Sequence, residues 1–324
     1  MVKNVLFINL GGIGDEIMFL PALISFKKEF PDSKITLALE KRSASIAELT
    51  NVIDEMIFVD KTKLGMLKLL FRMQIGRFDI VISSGSNKLI SVLLFLSGIK
   101  NRIGYATNSL SYKLLTYPVE LNKNQYAVNM YHSLVSPLTE QKTDLPVFDI
   151  VGEPKIPNSV LIHPGVSKKS IEQGCIKTIT PNDWALLVKG LAKAGKKIIL
   201  TGGKDDSDTI SQIKSALEGV EYLDFSSKTK NLIDLAKLIS SAEIFVCSDS
   251  APLHIAVGMN TKTFTFFGST DYTKLIPKKG CVTPLINDFE CPLRPCLWER
   301  RSKSCEDLGC LKFDMDNVLK TILS

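Results

Sequence analysis

Short apolar runs alternate along the chain with longer stretches in which apolar residues recur every three or four positions. Residues 5–9, 35–39, 57–59, 80–83 and 102–104 are of the first kind and predict strands. Residues 15–30, 63–75 and 90–96 are of the second kind and predict helices. The first of these carries Ile17, Leu20, Leu23, Ile24 and Phe26 at helical spacing and stops at Pro31. Over 152–159 (GEPKIPNS) the pattern lapses into two prolines and a glycine, which predicts a linker. Alternation then restarts, with strands at 160–163, 197–201, 244–247 and 263–267 and helices at 182–194, 208–217, 232–239 and 253–257. Strands alternating with helices form parallel sheets from βαβ units. The prediction is an α/β protein of two Rossmann-like, doubly wound domains facing across a cleft, at 1–153 and 159–312. A short amphipathic helix follows within 313–324. Ligands of such sheets bind at the carboxyl ends of the strands, so those loops carry the candidate chemistry.

A length of 324 residues exceeds what one hydrophobic core usually serves, in agreement with two domains. The opening MVKNVLFINLGG lacks the cleavage site of a signal peptide. The strongest apolar run, 89–99, is far short of the ~20 residues that span a bilayer. A cytoplasmic protein is expected. The net charge of +6 is unevenly placed: residues 61–123 hold ten Lys and Arg against two acids, Asp79 and Glu120, leaving −2 for the rest. A basic, apolar-rich segment fits an anionic partner, either nucleic acid, an anionic lipid surface or a phosphorylated glycan; a set of solvated helix faces accounts for it equally.

The loop GGIGDEI (11–17) leaves the first strand with three glycines and then two acids, Asp15 and Glu16. It lacks the spacing of the dinucleotide fingerprint, and an acid stands where a pyrophosphate would bind. Asp15 either caps the following helix or, with Gly12 and Gly14 bringing the backbone close to a substrate, acts as a base. In FVCSDSAPLHIA (245–256) a strand ends at Ser248, Asp249 and Ser250, with Pro252 where a first helical position would want it. Backbone N–H groups at Ser250 and Ala251 are suited to a phosphate, and Asp249 to a sugar hydroxyl. His254, on the first turn, either reaches the same phosphates or packs in the core. HPGVSKK (163–169) offers Ser167 and lysines after a strand, with Lys177 further on; these are counter-charges for a diphosphate or solvated loop lysines. In IILTGGKD (198–205), Gly202 and Gly203 permit close approach of a base or ribose. A fifth loop, FGSTD (267–271), follows another strand.

Together IGDEIMFLPAL (13–23), IHPGVS (162–167), TGGKDD (201–206), CSDSAPLHIAVG (247–258) and FGSTD resemble the heptosyltransferase family of inverting glycosyltransferases, glycosyltransferase family nine, over nearly the whole chain. The resemblance implies the GT-B fold, with a nucleotide-sugar donor, commonly ADP-heptose, in the carboxyl-terminal domain. It implies a lipopolysaccharide-type glycan or glycolipid acceptor in the amino-terminal domain, and no catalytic metal or other cofactor. The family's catalytic acid matches Asp15, so the loop is built for an acceptor hydroxyl rather than a phosphate. Donor-side roles fall on Ser167, Lys177, Gly202, Gly203, Asp249, Ser250, Ala251 and His254. The final helix commonly packs back on the first domain in this fold. The basic segment would then attract a phosphorylated acceptor, or the inner membrane surface that holds it, in place of nucleic acid.

Several positions depart from the family pattern. Met18 and Phe19 stand where many relatives carry His or Thr, Ala251 replaces a glycine, and KTITP (177–181) replaces a Lys-x-Trp-Pro run. Cys291, Cys296, Cys305 and Cys310 are spaced C-x4-C-x8-C-x4-C, wider than usual metal-ligand spacing, and read as a thiol-rich irregular loop. Other readings of the chain are a transferase using a UDP- or GDP-linked sugar, a non-catalytic sugar-nucleotide or glycan-binding protein, and an epimerase of the same fold. Intact Asp15, Asp249 and His254 favour a transferase over a binding protein.

Overall fold

The computed structural model describes residues 2–141, 145–146, 148–172, 174–297, 305 and 307–324. The chain divides into two compact units, Met1–Asp149 and Ile150–Ser324.

The first unit runs β1 (Asn4–Ile8), α1 (Ile13–Glu29), β2 (Lys34–Leu39), a 3-10 stretch (Lys41–Leu49), β3 (Glu55–Phe58), α2 (Lys63–Ile75), β4 (Ile80–Ser83), α3 (Lys88–Leu96), β5 (Asn101–Ala106), α4 (Ser109–Leu114), β6 (Tyr117–Glu120) and α5 (Ala127–His132). Its strands pair in the order β3-β2-β1-β4-β5-β6, every pair parallel. Strand β1, NVLFI, is apolar almost throughout because helices cover both of its faces. Leu6 and Ile8 share a core with Leu69 and Met73 of α2 and Leu94 of α3. Phe7, on the other face, meets Phe19 and Phe26 of α1 edge to face, with centroids 5.9 and 5.4 Å apart.

The second unit runs β7 (Ile156–His163), α6 (Lys168–Glu172), α7 (Pro181–Lys193), β8 (Lys197–Leu200), α8 (Ser207–Ser215), β9 (Tyr222–Asp224), α9 (Leu232–Ser241), β10 (Ala242–Ser248), α10 (Ala251–Gly258), β11 (Thr263–Phe266), β12 (Val282–Leu285) and α11 (Met315–Leu323). Its order, β12-β11-β10-β7-β8-β9, is again all parallel and repeats the winding of the first unit. In each unit the first strand is central, with the next two on one side of it and the last three on the other.

Two expectations need correction. Strand β7 begins inside the stretch expected to be linker, because a register shift against β10 between Ala242 and Ile244 absorbs its irregular start. Asn158, at φ 62°, makes the kink. It is held by an N–H bond to Glu243 (2.7 Å) and an Nδ2 bond to the Gly195 carbonyl (2.6 Å). The final helix, expected to return to the first domain, packs in the core of the second. Val318 and Ile322 lie buried with Trp184, Leu187 and Leu191 of α7. Gly190 permits this approach, since a Cβ there would stand 2.3 Å from Leu319 Cδ1. Ile322→Ala should therefore lower stability by about 2–5 kcal/mol, while Leu323→Ala at its exposed neighbour should stay within about 0.5 kcal/mol, as read by urea titration.

Candidate active site

In the first sheet the winding reverses between β1 and β4, and the loops after these strands are joined. The Ser84 N–H donates to the Ile8 carbonyl (3.0 Å) and Ser84 Oγ to Asn9 Oδ1 (2.5 Å). Gly12 is the N-cap of α1, and Gly14 lies in its first turn. Having no side chain to cap with, Gly12 instead donates its N–H to Asp15 Oδ2 at 2.8 Å. Gly11 is glycine because a Cβ there would meet Asp15 Cβ at 2.3 Å. The other carboxylate oxygen, Oδ1, lies 3.4 Å from the Tyr131 hydroxyl, which points at it from α5. Tyr131 packs edge to face on Phe19 at 5.5 Å. Burial and the charge of Asp15 push its phenol well above its ordinary range, so it stays a donor. Arg42 and Ser43 hold the Gly11 carbonyl at 3.3 and 3.2 Å. Glu40 is partly buried, but bonds from Arg42 and Lys61 outweigh that and lower its carboxyl to about 2. Asp15 thus caps a helix and stays half-exposed at the carboxyl end of the sheet.

Glu16, its neighbour, is almost fully buried. Burial dominates, and the charges of Asp15 and Glu40 add to it; the Asn9 side chain and the Gly11 N–H offset only part, leaving the carboxyl at about 8. Glu16 therefore holds its proton at neutral pH and does not double the charge of the loop.

The second sheet reverses between β7 and β10, where four further loops converge, those after β7, β8, β10 and β11. Ser248 Oγ lies 2.9 Å from the Pro164 carbonyl and 2.8 Å from Thr178 Oγ1, which accepts from Trp184 Nε1 at 3.0 Å. Asp249, 4% exposed, forms an ion pair with Lys177 at 3.2 Å and accepts from Thr270 Oγ1 at 2.8 Å. Ser250 is the N-cap of α10, Ala251 its first residue and Pro252 its second, one place later than expected. His254 is buried on that first turn. Ser167 is exposed and caps α6, accepting from the Ser170 N–H at 3.2 Å. His163 is buried 3.8 Å from Asp206, and burial lowers its pKa despite that carboxylate.

A parallel two-domain α/β protein whose motif loops lie at both sheet reversals corresponds to a known family. The model for glycosyltransferase family 9 (heptosyltransferase) matches residues 66–296. The chain belongs to this family. It is a glycosyltransferase. Among curated relatives it is similar to lipopolysaccharide heptosyltransferase 3 of Escherichia coli, 23% identical over 282 residues, covering 80% of this chain and 82% of that protein. It is also similar to lipooligosaccharide heptosyltransferase 2 of Campylobacter jejuni, 21% identical over 293 residues, covering 88% and 87%. Among solved structures it matches the ADP-heptose lipopolysaccharide heptosyltransferase II of E. coli with a TM-score of 0.70 at 17% identity, over 99% of this chain and 100% of that one. The fold is that of the GT-B heptosyltransferases.

The loops after β1, β7 and β10 lie at the two reversals. Gly202 is explained differently from the sequence reading: a Cβ there would strike Ile210 Cδ1 at 2.4 Å, so close helix packing accounts for the glycine. Gly203 donates its N–H to Asp206 at 2.8 Å. Met18 and Phe19, the departures on α1, are core residues. Tyr131 and Arg42 escaped the sequence reading, since neither sits in a motif loop and Tyr131 is 116 positions from Asp15. Thr270 stood in a quoted motif without a role. Trp184, four residues past the place of the missing family tryptophan, supports Lys177's loop through Thr178. The late cysteines lie near one another: burial raises the Cys296 thiol, and Cys305, Cys291 and Cys175 add to it. Among the described residues no three potential ligands are grouped to hold a metal; residues 298–304, between two of these cysteines, lie outside the described ones.

The Glu16 carboxyl is raised on folding from 4.5 to about 8, so folding takes up a proton between those values. Stability from this group is therefore present at low pH and lost as pH climbs toward about 8. Glu16→Gln should flatten that part of the stability profile and make the variant the more stable form above neutrality, read by urea titration at pH 5, 7 and 8.5.

Proposed function

We propose that the protein transfers heptose from ADP-heptose, with inversion, to a lipopolysaccharide core or related anionic glycan. The observation that carries this reading is the placement of Asp15, whose carboxylate is fixed by the Gly12 N–H yet remains half-exposed at the end of β1. In this reading Asp15 takes the proton of the acceptor hydroxyl as that oxygen attacks the anomeric carbon. The second unit holds the donor. Lys177, Ser167 and the N–H groups at Ser250 and Ala251 neutralise the departing diphosphate, while Asp249 and Thr270 orient sugar hydroxyls. Gly203 offers backbone to the nucleoside, and His254 supports the α10 turn. An anionic glycolipid is the acceptor that the basic stretch 61–123 favours over nucleic acid. The heptosyltransferase names of the relatives support heptose as the sugar.

A UDP- or GDP-linked donor is the second reading, because the departures Ala251 and KTITP both fall on the donor side. Calorimetric titration with ADP, UDP and GDP separates the two: selective ADP binding is expected, and preference for another nucleotide would move the donor. Asp15→Asn should keep ADP binding unchanged while slowing transfer about 10²–10⁴-fold. Transfer at the wild-type rate would remove Asp15 as the base. Lys177→Met should weaken ADP binding about tenfold or more, since it deletes a charge-assisted contact to the diphosphate.

A further inference from the structure

Helix α2, KLGMLKLLFRMQI, is apolar on two faces. Gly65, Leu69 and Met73 recur every four residues on the inner face and are buried against the sheet. Leu64, Leu67, Phe71 and Ile75 recur every three or four residues on the outer face and are 62%, 62%, 61% and 54% exposed. No other part of a globular fold requires such a stripe outside; the inner face alone suffices to seat the helix. Lys68 and Arg72 flank the stripe on one side and Lys63 on the other, and all three are exposed. Beside it, Gln74 donates to the Leu96 carbonyl (3.1 Å), so the ends of α2 and α3 lie together. Leu96 is exposed there, and Leu89 is exposed at the opposite end of α3. Neither helix contains an acid.

We propose that this face of the first unit, α2 with the adjoining α3, is a docking surface for an anionic lipid bilayer. An apolar stripe flanked by cations seats at the boundary between headgroups and acyl chains, with Lys63, Lys68 and Arg72 on the phosphates. At 13 residues, α2 is about 20 Å long, too short to cross a hydrocarbon core of about 30 Å, so it lies in the plane of the interface. No helix among the described residues is long and apolar enough to cross a membrane. Charge chooses between occupants: the surrounding segment holds ten cations and two acids, so a second copy presenting the same face is repelled while an anionic surface is attracted. The test of this surface contains neither donor nor acceptor, so its outcome is read apart from the proposed transfer reaction.

The experiment is sedimentation of the full chain with phosphatidylcholine vesicles, with and without phosphatidylglycerol, at low and high salt. Partition onto phosphatidylglycerol vesicles is expected, falling in high salt and weak on phosphatidylcholine alone. Leu67→Glu/Phe71→Glu and Lys68→Glu/Arg72→Glu should each reduce partition about tenfold or more, with circular dichroism unchanged. Leu186→Glu, at a comparably exposed leucine of α7 (55%), should bind as wild type. Three results would overturn the proposal: no partition onto anionic vesicles, equal partition of the α2 variants, or a wild-type dimer that Leu67→Glu/Phe71→Glu makes monomeric.

Discussion

The central strand of each sheet must be covered on both faces, and the placement of the motif loops follows from this. Strand β1 and the Val160–Ile162 part of β7 are apolar and buried on both sides, so each can exist only between two layers of helices. Right-handed crossovers lay successive strands down on one side of the central strand and then, after one longer step, on the other. The chain consequently diverges next to β1 and next to β7, and the loops that leave these strands are free of an overlying crossover. Asp15 follows β1, and the Lys177–Asp249–Thr270 group lies at the ends of strands around β7.

The two sites use acids in opposite ways. In the first unit two adjacent acids are separated by environment: Asp15 remains half-exposed with a backbone N–H on one oxygen, whereas Glu16 is turned into the core and holds its proton. In the second, Asp249 is buried but matched by a lysine and a threonine hydroxyl. A buried carboxyl group needs such partners, and Glu16, offered too little, holds a proton instead. An acid directly after a glycine loop is natural here, because the Gly12 N–H at the helix start is already satisfied by the Asp15 carboxylate.

Helix α2 shows how one element can answer two demands. Its inner residues complete the core against β1 and β4, as in any crossover helix. Its outer stripe contributes nothing to that core and leaves apolar area in water, which carries a cost unless something covers it. The cations beside the stripe, Lys63, Lys68 and Arg72, give that surface a preferred partner.

Sequence pattern alone was enough for the α/β class, two units, most of the central strands and the loops that bear Asp15 and Asp249. These follow from local rules, since strand and helix periodicities and the glycine and proline positions at turns are properties of neighbouring residues. Tertiary structure decided the rest. The short edge strands β6, β9 and β12 are too brief and too mixed to stand out, and exist through pairing with a neighbour. Burial on α7 assigned α11 to the second unit, a choice its own amphipathic pattern leaves open. The proton on Glu16, the approach of Tyr131 to Asp15 and the pairing of Lys177 with Asp249 depend on residues far apart in the chain being brought into one low-dielectric space. Whether α2's second apolar face lay inside or outside was likewise settled only when the sheet claimed the first.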